Sequence, residues 1–529
     1  MRKTLLLALV TLLLLTLAYA AWFAASCRAE RASIGQPQAI CSSPLYRRIP
    51  AEERLLRGRA PGAEKPIAHV KIPQHPFMAS NAGNNMHNDA SMSDTYEASG
   101  PLGLALQVRS RTQGFGGYGT LAYDRRGRLV GVTSNGRRFQ LELMDPYTLE
   151  ELASYDLPPR PPGFLLQGTL PWEYIGAGVY FYLDHLDRAV VPTTHNTIQV
   201  VQVPDPEAGE GFRLVREYNL ADYVVPLSWP KQDSVAWVLP DWGGEYFWFA
   251  TTAGAIGSVQ VDTGLVHALQ LEGEIIENSF AVGPEGAFIL SDQALYLFHL
   301  DAQGSLQTDW RLAYDRGPHK KPGHITRGSG TSVTLLGGPE GIVAVTDNAE
   351  PRIRLLFVSR SDGKLLCSLP LFQDGRSGTD ITVIGLEQAD PQGRSTGRYS
   401  AIVENNWGHH FFPIADPAPG VARVDLARQP DDSYQCSQVW ASAEHNLGVF
   451  KLSLANGLVY LYFRDDSLFP SRWYLTALDF WSGETVYKAL AGAGVGYNNW
   501  AGALFLHPDG GIAYSTTLFG LVMLRDAPP

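Results

Sequence analysis

Cysteine is scarce: there are four, at positions 27, 41, 367 and 436, and no two form a Cys-x-x-Cys pair, which removes zinc-ribbon and thioredoxin-type chemistry. One or two disulfides remain open for them, as do buried thiols. Charge is thin as well. Charged residues make up 18% of the chain, and 42 Lys plus Arg stand against 53 Asp plus Glu, a net charge of -11. The densest basic run in the body, Arg125-Arg126-Gly127-Arg128, falls at a turn, so nucleic acid is not expected as a partner. Walker loops and His-Glu-x-x-His stretches are missing. The string Gly393-Arg394-Ser395-Thr396-Gly397 matches Gly-x-Ser-x-Gly, but it sits in a polar hairpin and not at the strand-to-helix turn that a nucleophile elbow requires.

Long apolar runs are also lacking, with one exception at the N-terminus. Met1-Arg2-Lys3 is a short basic region, and Thr4 to Cys27 carries no charge. Three readings fit: a signal peptide cleaved after Ala18-Tyr19-Ala20, an uncleaved membrane anchor, or a lipoprotein with Ala24-Ala25-Ser26-Cys27 as a loose lipobox. All three place the body outside the cytoplasm, periplasmic or secreted, with a membrane contact if the segment is retained.

What the chain does have is glycine (53), proline (35), aromatics (11%) and a 45% apolar content, which suit many short strands and tight turns around a large core. A repeat runs through it. Each copy has an apolar strand, a tight turn, a second strand, a polar loop, a third strand, a turn often of the form Asp-x-x-(Thr/Ser)-Gly, and a fourth strand. Glycines of the first turn fall at Gly127, Gly243, Gly286, Gly341, Gly457 and Gly510, and weaker turns at Asp184 to Asp187 and Asp390 to Gly393 split the two long gaps. Eight turns spaced by about 43 to 64 residues predict an all-β, eight-bladed propeller over residues 101–529. The last copy has only three strands, so residues 102–108 are expected to close the eighth blade from the N-terminal side and remove the open edge. Residues 28–100 read as linker and polar loop, with one short helix over 51–57. Within them, 75–100 is rich in Asn, Met, Ser and His: a lid over either face of the ring, or a solvated linker.

Most unusual polar residues fall in the loops between strands two and three and in those between blades. Whether these two loop classes share a face is left open by the sequence. Ligand-binding candidates are Asn405, Asn406 and Trp407, Asn498, Asn499 and Trp500, His195 and Asp347. The two Asn-Asn-Trp copies are expected at one rim, with the tryptophans as stacking walls. Metal-ligand candidates are Asp465, Asp466 and Asn446, and His409, His410 and His445 are candidates for metal-assisted or acid–base chemistry. Adjacent residues on a strand point to opposite faces, so at most one of His409 and His410 is expected to act.

The stretch Trp473 to Tyr487, with Ala477-Leu478-Asp479-Phe480-Trp481-Ser482-Gly483 at its centre, resembles the blade motif of quinoprotein-like propellers, Ala-x-Asp-x-x-Thr-Gly-x-x-x-Trp. Tyr487 stands at the position of the docking Trp. Val261-Asp262-Thr263-Gly264 is similar to a shortened copy, and Met144 to Thr148 to a degraded one. The resemblance implies the propeller fold, and in dehydrogenases of that family pyrroloquinoline quinone with calcium. The adjacent cysteines that some of them carry are missing here. The expected functions are therefore binding of a small ligand, metal or other protein at the channel mouth, a quinone- and calcium-dependent oxidoreductase, or a metal-assisted hydrolase or lyase.

Overall fold

The computed structural model describes residues 2–42, 49, 51–59, 64–114, 116–136, 138–160, 178–224, 233–409, 415–464, 471–499 and 501–527. Eight antiparallel sheets follow one another around a channel. Seven lie in chain order at 117–157, 182–219, 235–270, 281–313, 334–370, 383–442 and 451–493, and the eighth joins 504–526 to the N-terminal strand Leu106–Thr112. The middle strands of a blade are covered on both faces, as in Tyr246–Thr251, where all six residues are buried. Their sequences are accordingly continuous apolar runs.

The closing strand pairs antiparallel with Gly520–Asp526, from Leu106 opposite Asp526 to Thr112 opposite Gly520. It starts four residues later than the expected 102–108. The Asp526 carboxylate accepts the backbone N–H groups of Leu102 (2.5 Å) and Leu104 (2.9 Å), which turns the chain before the ladder begins. The helix expected over 51–57 is a single turn, Ala51–Glu53, because Leu55–Arg57 instead pairs with the free outer edge of blade seven. An unpaired strand edge outbids the local helix preference.

The first turns show which residues set the repeat. At Gly243 and Gly341 the positive φ belongs to neighbours, Gly244 and Gly337. Blades one, two and six share a different device. Asp124, Asp184 and Asp390 each accept the backbone N–H groups two and four residues on and pair with the arginine four residues on, Arg128, Arg188 and Arg394. The side chain organises the turn, so Asp187 at φ 55° can stand where the other two have glycine.

Neighbouring blades lock through aromatic residues of the fourth strand. Trp440 lies over Gly483 of blade seven and donates its indole N–H to the Phe480 carbonyl (2.8 Å), and Trp310 does the same over Gly363 to Arg360 (2.9 Å). Tyr218 donates to Val261 (2.8 Å), and Tyr487 donates to Pro101 (2.7 Å) against Gly103, the segment that replaces the missing turn of blade eight. Cys367 and Cys436 form a disulfide across the outer strands of blades five and six. Cys27 pairs with Cys41 beside the N-terminal helix Arg2–Ile34, whose Val10–Ile34 portion is long and apolar enough to cross a membrane.

Residues 64–100 run across the turns at the lower face and then rise into the channel. Inner strands of six blades donate backbone N–H groups to carbonyls of this segment, Tyr123 to Gly83, Leu183 to Asn84, Val282 to Ala90, Leu335 to Ser91, Gly385 to Ser93 and Leu452 to Asp94, and the turn residue Gly511 of blade eight donates to Ser99, all at 2.8–3.0 Å. Blade three is met through rings, His75 against Trp242 at 4.5 Å. The lid or solvated linker expected here is an internal plug. Its polarity follows from its position, because eight inner edges present donors that cannot be buried unpaired.

Candidate functional site

Strand direction alternates within each blade, so the loops between strands two and three emerge on the same face as the loops between blades. This is the upper face, opposite the entry of the plug. The topology therefore collects the loop residues singled out by the sequence at one end of the channel.

Below that mouth the plug carries a buried charge network. Lys451 of blade seven and Asp94 form an ion pair with neither side chain exposed, and Lys451 also donates to the Met86 carbonyl. The other Asp94 oxygen meets His87 Nδ1 (3.0 Å) and the Thr382 hydroxyl, and His87 Nε2 meets the Ser332 hydroxyl (3.0 Å). Burial pushes the Asp94 carboxyl up, but Lys451 and His87 outweigh it and hold the group below its ordinary value. The pair ties the plug to the ring.

Above this network lies a cluster at the heads of the inner strands. Glu277 and Asn278 precede Ala281–Gly283, Asp380 precedes Val383–Ala389, Glu404 ends Ser395–Glu404, and Asn446 precedes Lys451–Ser453. Asn406 Nδ2 donates to the Asp380 carboxylate, and Asn446 Nδ2 donates to Glu404. Asn278 Nδ2 donates to the Asp380 carbonyl (2.9 Å) and accepts the Tyr180 hydroxyl on Oδ1 (3.0 Å). His324 packs against Gly378, with Asp380, Lys321 and Lys320 among its charged neighbours. Among the described residues, neither His324 ring nitrogen has a hydrogen-bond partner, nor have Glu404 Oε1 and Asn406 Oδ1, although all three residues are buried.

Desolvation, reinforced by Asp380, raises the Glu277 carboxyl to about 8, and desolvation raises Glu404 well above the carboxylate range. Burial lowers His324 to about 4. A carboxyl held above its unfolded value stabilises the fold fully below about pH 4.5 and loses that contribution as pH rises through about 8. Thermal unfolding from pH 4.5 to 8.5 should thus show a declining melting temperature, and Glu277→Gln should flatten the decline by an amount on the order of a few kcal/mol. An equally steep decline in the variant would show that Glu277 is not the group responsible.

Of the residues named from the sequence, Asn406, His409 and Asn446 come together in this cluster. Asn405 spends its amide on the loop between blades five and six, donating to Arg376 (2.9 Å) and accepting from Gly378 (3.2 Å), and Arg376 lies over the ring of Trp407 at 5.8 Å. Asn499 donates to Ser515 (3.0 Å) in blade eight, and Asn498 caps a helical turn beside it. His195 is exposed on blade two. Asp347 accepts the N–H groups of Ala349 (3.1 Å) and Arg354 (2.6 Å) and so builds a turn. His445 stacks on Phe463 with Nδ1 at the Pro417 carbonyl (3.0 Å). His410, Asp465, Asp466 and Trp500 lie outside the described residues. Among the described residues no group of three or more His, Cys, Asp or Glu side chains is placed to hold a metal.

Glu277, His324, Asp380, Glu404 and Tyr180 were not singled out as site residues. Their signal in the sequence is positional, since most stand within a few residues of an inner strand. Beside Tyr180 a void of about 20 Å³, room for about one water, is lined by Met86, His87, Met92, Trp237, Ser279 and Phe280, among others. Tyr180 borders both the void and the cluster.

No family model matches the chain. An uncharacterized protein of Archaeoglobus fulgidus is 24% identical over 309 residues, 53% of this chain and 58% of that protein, so the chain spans little more than half of that relative's length. Among solved structures, the Saccharomyces cerevisiae Sqt1 structure matches at a TM-score of 0.37 and 10% identity over 65% of this chain and 94% of that one. The β-propeller domain of Myceliophteria thermophila Cps50 (Swd1) matches at 0.37 and 8% over 64% and 93%.

Proposed function

We propose that this propeller binds a small molecule at the upper mouth of its channel, in an extracytoplasmic body. One observation carries the reading. Buried polar atoms of His324, Glu404 and Asn406 at the upper face have no partner among the described residues. Convergent polar groups at a concave face are an ordinary feature of ligand sites. Two disulfides and the apolar N-terminal helix support the extracytoplasmic placement.

The quinone and calcium alternative fits less well. A planar tricyclic cofactor needs an open slot along the axis, and residues 78–96 take up that space with hydrogen bonds to the surrounding blades.

The test is a fragment screen read by tryptophan emission, since Trp237 lines the void beside Tyr180. Hits should shift the emission, and Asn406→Leu, which removes a polar group from the cluster at the mouth, should abolish their binding while the protein still unfolds cooperatively. Hits that bind this variant as well as the parent would refute the assignment.

A further inference from the structure

Resting on that reading, we propose that the ligand is a small organic cation, with an ammonium or amidinium head among Glu277, Asp380 and Glu404. The first argument is charge. Glu277 accepts the Ile325 N–H (3.3 Å) and the Thr326 hydroxyl (2.5 Å), Asp380 accepts the Asn406 amide, and Glu404 accepts the Asn446 amide. All of these donors are neutral. The cations nearby face other groups: Lys321 donates to the Ala349 carbonyl (2.8 Å) in the field of Glu350, Asp347 and Asp315, Arg376 lies over Trp407, and Lys451 is paired with Asp94 deeper in the channel. Three carboxyl groups therefore share one buried neighbourhood with no cation paired to them among the described residues. Such a group is relieved by a proton or by a cation from outside.

The second argument is the hydrogen-bond inventory, which is independent of the first. Glu404 Oε1 and Asn406 Oδ1 have no partner on residues with no exposure, and both ring nitrogens of His324 have none at 5% exposure. Carboxylate and amide oxygens are acceptors, and a neutral imidazole offers one acceptor as well. What is missing at the mouth is a set of N–H donors. An ammonium brings three and an amidinium four, on a positive charge. A bare metal ion would meet the charge without this geometry, and the described residues hold no three-ligand group for one.

The experiment uses phenethylamine and its neutral counterpart 2-phenylethanol, titrated calorimetrically into the full chain at pH 8.5. The amine is expected to bind at least tenfold more tightly than the alcohol. Glu277→Gln and, separately, Asp380→Asn should remove that preference, while His195→Ala on the exposed rim should retain it. Equal affinity for the two probes, no binding of the amine, or a preference that survives both substitutions would overturn the inference. So would stoichiometric calcium or zinc binding that excludes the amine, since the cation would then be inorganic. The mouth as a binding site falls separately, if fragments bind the Asn406→Leu form unchanged.

Discussion

Lys451→Met should lower stability by about 3–5 kcal/mol, the usual effect of removing one partner from a fully buried ion pair. Methionine keeps most of the volume, so the loss comes from charge and not from a cavity. Asp94 is then left without exposure and with His87 as the one remaining group able to balance it. Two consequences distinguish this from a packing defect. The variant should regain stability as the pH falls, because a proton can then replace the lost cation on the Asp94 carboxylate. Adding Asp94→Asn should restore much of the loss, because the second change removes the charge that the first one stranded. Urea unfolding of the parent, the single variants and the double variant at pH 5.5 and 8 gives all the numbers. A double variant no more stable than Lys451→Met alone would mean that Asp94 and Lys451 contribute separately. Because Asp94 belongs to the plug and Lys451 to blade seven, the single variant should also make residues 78–96 exchange their amide protons faster than the blades do.

Trp440→Ala should cost about 3–5 kcal/mol as well, by a different route. The indole covers Gly483, where an added Cβ would lie 2.5 Å from the ring, and it donates to the Phe480 carbonyl at 2.8 Å. Truncation leaves a cavity between blades six and seven and strands that carbonyl. Trp440→Phe keeps most of the ring contact and gives up the N–H bond, so about 1 kcal/mol of that loss is expected from it, with the rest appearing only in the alanine form. Phenylalanine as damaging as alanine would place the energy in the hydrogen bond instead. The same contact recurs at Trp310 over Gly363, so Trp310→Ala should behave alike.

These contacts show where local sequence carries the fold. The Asp-x-x-Gly-Arg turns at Asp124 and Asp390 and the Asp-x-x-Ser-Gly turn at Asp479 are closed by side chains two to four residues away, so their pattern is visible in the chain itself. The tight-turn spacing and the incomplete last copy lead directly to eight blades and to closure by an N-terminal strand. Residues 102–108 were placed four positions early because the shift depends on Asp526, more than 400 residues away in the chain.

The polar loop is the opposite case. Asn84, His87, Asn88, Asp89, Ser93 and Asp94 have the composition of solvated chain, yet all are buried. The carbonyls of Asn84, Ser93 and Asp94 accept backbone N–H groups of apolar strands, and a backbone donor leaves no mark in the amino-acid sequence, while the side chains of His87, Asn88 and Asp89 bond within the same segment. The mouth cluster was hidden for a related reason. Glu277, His324, Asp380 and Glu404 are spread over more than a hundred positions, and each alone reads as a loop residue. Alternation of strands dictates by simple counting that their loops share a face. How far each carboxyl is from water, and which acceptors go without donors, is decided by packing around the plug. The chain by itself thus determined the ring, its blade number and its closure, since turns and strand periods are local. Only the tertiary structure decided that the channel is sealed from below and acidic above, because burial and charge pairing depend on residues brought together from all eight blades.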